Sequence, residues 1–109
     1  MFAWNPAMHL IHVFLPLYDN DAQALPKSVF NEVRDELIHK FGGLTAHSRA
    51  PVDGLWQKDG SHAVRDDLVI YEVMTTELDP SWWSEYRASL EARFRQTHIL
   101  IRAQQVELL

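Results

Sequence analysis

The chain contains no cysteine, which removes disulfides, thiolate metal sites and cysteine nucleophiles at once. It also has no surplus of positive charge: 10 Lys and Arg stand against 15 Asp and Glu, a formal net charge of -5. Proteins that neutralise nucleic-acid phosphates or anionic membranes need the opposite balance, so no nucleic acid and no membrane is expected as a partner. Long apolar runs are missing too. The stretch from Leu10 to Leu17 is interrupted by His12 and Pro16, and Met1 to Met8 sets no Lys or Arg ahead of an apolar core. Neither a signal peptide nor a membrane span is expected, which leaves a cytoplasmic location as the default. Serine nucleophile elbows, phosphate-cradling glycine loops and paired carboxylates at motif spacing are also lacking, so no known cofactor or catalytic class is indicated.

What is present is an ordinary globular composition, 47% apolar and 23% charged over 109 residues, enough for one hydrophobic core and not for two. Residues 1–8 read as a flexible N-terminal extension and residues 9–109 as a single domain. His9 to Tyr18 has the β-branched, aromatic and leucine content of a strand, with Pro16 near its end. Pro26 stands where a helix can begin, and Phe30, Val33, Leu37 and Phe41 recur at helical spacing until Gly42-Gly43 closes the helix. Leu44 to Ala50 reads as a second strand, continuing irregularly through Asp53-Gly54 to Trp56. Gln57 to Asp66 is a polar hairpin connection, and Leu68 to Thr75 a third strand. Asp79-Pro80 is a cap followed by a first-turn proline, and Trp83, Tyr86, Leu90 and Phe94 form one stripe of a second helix ending at His98. Ile99 to Val106 is the fourth strand.

The order strand, helix, strand, strand, helix, strand predicts an α+β, ferredoxin-like βαββαβ fold. Its four-stranded antiparallel sheet has the order 4-1-3-2, with two helices on one face. Side chains alternate across a strand, so Ile11, Val13, Leu15, Leu17, Val69, Tyr71, Val73, Ile99, Ile101 and Ala103 should meet the helices. The other face collects Leu10, His12, Phe14 and Tyr18, then Thr45, His47 and Arg49, then Ile70, Glu72 and Met74, and finally Arg102 and Gln104. That set is too apolar for a solvated face and too charged for a dry core. A second copy of the sheet is the expected cover, which predicts a homodimer.

Glu72 should neighbour His12 on one side and His47 and Arg49 on the other. A His, a Glu and an Arg around a cleft can serve as acid/base pair and anion clamp, which makes His12 and Glu72 the catalytic candidates. Tyr18, His47, Arg49, Trp56 and Arg102 are then the ligand-binding candidates for a small molecule. Taken alone, the charged cluster reads more plainly as a paired network that fixes dimer register. His9 and His12 are three apart on a strand and point to opposite faces, so no shared metal is expected. Trp82 lies about 100° from Trp83 on its helix, which suits a dimer seam, a pocket rim or the edge of the core stripe. Tyr86, Arg87, Glu91, Arg93 and Arg95 read as a solvated helix surface.

The words Phe41-Gly42-Gly43-Leu44-Thr45, Arg49-Ala50-Pro51, Gly54-Leu55-Trp56, Glu72-Val73-Met74 and Arg93-Phe94-Arg95-Gln96 resemble those of an uncharacterised family of short bacterial proteins over Leu10 to Val106. More remotely, the topology is similar to the dimeric α+β barrel superfamily, whose paired sheets enclose a cavity used by small monooxygenases, isomerases and dechlorinating or haem-degrading enzymes. That resemblance implies a cavity between two open faces and carries no catalytic motif onto named positions. The expected function is a small-molecule binding protein or cofactor-independent enzyme with its pocket on the open face at a homodimer interface. The alternative is a non-catalytic dimeric module whose polar face only specifies assembly.

Overall fold

A computed structural model of the protein describes residues 7–49 and 68–109. Their elements run β1 (Ala7–Pro16), α1 (Lys27–Phe41), β2 (Thr45–Arg49), β3 (Leu68–Thr75), α2 (Pro80–Arg93) and β4 (Ile101–Glu107). The sheet is antiparallel throughout, in the order β2-β3-β1-β4, which is 4-1-3-2 counted from the other edge. The expected irregular continuation through Asp53-Gly54, the polar connection and Trp56 all lie outside the described residues.

The alternation in β1 sorts the molecule into two faces. Ile11, Val13 and Leu15 are fully buried, and Tyr71 and Val73 of β3 nearly so. Against them pack Val33 and Leu37 of α1, Trp83 and Leu90 of α2, and the Phe94 and Ile99 that follow α2. Both helices therefore cover the same face of the sheet. Phe30 meets Phe94 edge to face at 5.2 Å, and the Tyr71 hydroxyl donates to the Phe30 carbonyl at 3.2 Å, tying α1 to β3.

The helix ends follow local chemistry. Gly42 takes φ +85°, and its N–H donates to the Ile38 carbonyl at 2.7 Å, a left-handed cap that costs glycine nothing. Pro26 is the cap position of α1 rather than its first helical residue. Asp79 accepts the Trp82 N–H at 3.2 Å with Pro80 in the first turn, as the Asp-Pro pair requires.

Several boundaries differ from the sequence expectation. β1 begins at Ala7, because β4 runs on to Glu107 and gives Ala7 and Met8 partners at Glu107 and Val106; these two residues are not an extension. β1 ends at Pro16 rather than Tyr18, and the chain then turns so that Tyr18 bridges Ala24. Helix α2 ends at Arg93, not His98: Arg95 adopts φ +52° and cannot continue a right-handed helix. The fourth strand opens at Ile101 rather than Ile99, although the Leu100 carbonyl already accepts the Phe14 N–H at 3.0 Å. Ile99 is buried, but Ala103 is exposed.

Candidate functional site

The uncovered face is organised by register. Thr45 stands opposite Glu72, Glu72 opposite His12, and His12 opposite Arg102, so one polar row crosses all four strands. Apolar residues border it: Leu10 and Met74 pair on one side, Phe14 and Ile70 on the other.

At the centre, Glu72 Oε1 lies 2.9 Å from His12 Nε2 and 3.3 Å from His47 Nε2. His47 is opposite Ile70, one step along the sheet, and reaches back diagonally to the carboxylate. The side chains of His12 and Glu72 keep 17% and 22% of their exposure, while His47 keeps 49%. An ionised carboxylate only accepts. Each neutral imidazole bonded to it therefore carries its proton on Nε2 and leaves Nδ1 as a lone-pair acceptor. Glu72 in this way orients two rings, and the more open His47 is the one a solute can approach. Sequence reasoning assigned His47 to ligand binding and His12 to catalysis; of the two rings, His47 is the more exposed.

Arg102 is exposed on β4, with its guanidinium carbon 5.0 Å from the centre of the Phe14 ring. The His12 and Phe14 rings meet edge on at 6.3 Å. Arg49 stands opposite Leu68, four positions along β2 from Thr45, which is about 13 Å of strand. Its backbone position is therefore remote from Glu72, contrary to the expected adjacency. Tyr18 is also removed from the row: it follows the end of β1, half exposed, and its carbonyl accepts from Gln96 Nε2 at 2.8 Å. Tyr18 had been placed by strand alternation, and the strand ends two residues before it. Trp56 lies outside the described residues.

A cleft of about 330 Å³ adjoins the row where α1 passes into β2, lined by Gly42, Gly43, Leu44, Thr45, Glu72 and Met74 among others. This wall is open: a Cβ at Gly42 or Gly43 would meet nothing within 4 Å. Sequence reasoning missed this wall because helix termination already accounted for both glycines.

Arg87 and Arg95 on the outer helix surface are exposed as expected, with Arg87 3.9 Å from Glu91, but Arg93 and Tyr86 are more than solvated. Arg93 donates to both oxygens of Glu36, at 2.9 and 3.0 Å, and lies 3.4 Å from Glu32, while the Tyr86 hydroxyl donates to Glu36 at 2.8 Å. The Arg93 hydrogen bonds hold the Glu36 carboxyl below the usual carboxylate range. Burial first, then the bond to Glu36, push the Tyr86 phenol above its usual range. Glu91 accepts the Ile99 N–H at 3.1 Å and pins the exit from α2. Trp82 belongs to this helix packing: it stacks on Tyr86 at 4.7 Å, with Lys40 4.4 Å from its ring centre. A second cleft, of about 510 Å³, lies between Leu25, Val29, Glu32, Arg93, Arg95 and Asp19.

Among the described residues no group of three or more His, Asp or Glu is placed to hold a metal ion, and no helix is long and apolar enough to cross a membrane. Comparison of the chain with protein-family models, curated proteins and solved structures gives no match.

Proposed function

We propose that this protein is a cytoplasmic small-molecule binding protein or cofactor-independent enzyme, and that its site forms where the open sheet faces of two copies meet. The observation that carries the reading is the convergence of His12 and His47 on Glu72 Oε1, at 2.9 and 3.3 Å, in the middle of an uncovered sheet face. A fold needs no such cluster there. Half-buried ionisable groups cost desolvation, and apolar residues of like volume would pack as well. Two imidazoles hydrogen-bonded to one carboxylate and a cleft at the end of the row are the parts of a proton-transfer site. A facing copy would exclude water and strengthen each of these interactions.

The test pairs sedimentation with binding. Wild-type protein and Glu72→Gln are compared for oligomeric state, and a fragment library is screened by NMR on the His12 and His47 ring resonances. A dimer in both proteins, with fragments that lose affinity in Glu72→Gln, supports the proposal. A dimer that falls apart in Glu72→Gln, with no fragment bound by the wild type, means that the row serves assembly alone. A monomer in the wild type removes the shared site.

A further inference from the structure

We infer that the molecule taken by this site is a small anion with a flat or apolar body, its carboxylate or equivalent held by Arg102; the inference rests on the proposed small-molecule site and adds its ligand class. The polar row is unequal at its two ends. Glu72 shares its charge with two imidazole donors, whereas among the described residues no carboxylate pairs with Arg102. Its guanidinium lies against the Phe14 ring, 5.0 Å from the ring centre. That contact steadies the guanidinium plane and leaves its N–H fork without an acceptor, the arrangement suited to bidentate capture of a carboxylate.

The row's carboxylate, Glu72, is already shared by the rings of His12 and His47, which add positive charge when protonated, so Arg102 is the member of the row left to meet an anion. The chain as a whole is acidic, at -5, so the preference comes from this face and not from net charge. Arg102 and Glu72 are separated by two strand spacings, about 10 Å between backbones. A body of one ring can bridge them, with Leu10, Phe14 and Ile70 bordering it.

The intact protein is titrated with benzoate, its neutral analogue benzamide, and acetate, following the ring resonances of His12 and His47. Benzoate should bind at least roughly tenfold more tightly than benzamide, the scale of one charge-assisted contact, and acetate should bind more weakly than benzoate. Arg102→Met should abolish the preference for benzoate, weakening benzoate more than benzamide. Arg102→Lys should restore part of it, and Arg95→Met, on the helix side, should change nothing. Equal affinity for benzoate and benzamide, or an undiminished preference in Arg102→Met, overturns the anion inference and leaves the site itself standing. If neither aromatic probe moves the two histidine resonances, the proposed site falls and the ligand class falls with it.

Discussion

The same strands carry two different solutions on their two sides. Towards the helices, Ile11, Val13, Leu15 and Val73 are aliphatic and at most 2% exposed, and their stabilisation is ordinary burial of apolar area. Towards the open side the alternating neighbours Leu10, His12, Phe14, Ile70 and Glu72 are only partly buried, and the row at their centre is ionisable. Where a fold is free to choose, it buries hydrocarbon. The histidines and glutamate on the uncovered side therefore ask for an explanation that the covered side does not.

The sharpest way to break that contrast is to remove one phenylalanine from each side. Phe94 is fully buried among the helices, and Phe94→Ala should cost about 3–5 kcal/mol in urea unfolding, by transfer and cavity terms together. Phe14 is only half-buried in the single chain, so Phe14→Ala should cost about 1 kcal/mol if that side stays open to water. Equal losses would show that the open side is covered in solution as thoroughly as the other, and a concentration-dependent loss at Phe14 would identify a second copy as the cover.

The covered side was legible in the sequence because period-two alternation in β1 and β3 and the Val33–Leu37 and Trp83–Leu90 stripes all name the same core. The strand order then followed from connection rules, and it alone brought Glu72 between His12 and His47. What stayed hidden depends on backbone or distance. A left-handed Arg95 carries no residue signature, unlike Gly42, so the true end of α2 was missed. The pair Arg93 and Glu36 lies 57 positions apart, and nothing in either helix alone distinguishes a charge that meets its partner from one that meets water. Tyr18 was placed by alternation, and the strand ends at Pro16 before reaching it.

Smaller effects test the helices that make one side covered. Asp79→Ala removes the side-chain acceptor for the Trp82 N–H and should lower stability by about 1 kcal/mol, with Asp79→Asn recovering most of it. If alanine and asparagine are both neutral, Pro80 alone suffices to start α2, and the cap adds nothing to the cover.

The smallest effect concerns the ion pair that clasps the two helices over the core. Glu36 side-chain exposure is 43%, so the pair contributes at neutral pH only a few tenths of a kcal/mol, up to about 1; its signature is the pH dependence. Hydrogen bonds from Arg93 lower the folded-state pKa of Glu36. The unfolded chain thus binds this proton at a higher pH than the folded one, near the ordinary glutamate value of about 4.3. The stabilisation is complete above that value and is lost as pH falls through the lowered folded pKa. Glu36→Gln should therefore flatten the acid arm of a melting-temperature profile below about pH 5, where the glutamate begins to titrate. Tyr86→Phe, which keeps the Arg93 bonds, should retain most of the slope. A Glu36→Gln profile parallel to wild type would mean that the clasp is no stronger than contact with water, and that the helices are held over the sheet by the hydrocarbon beneath them alone.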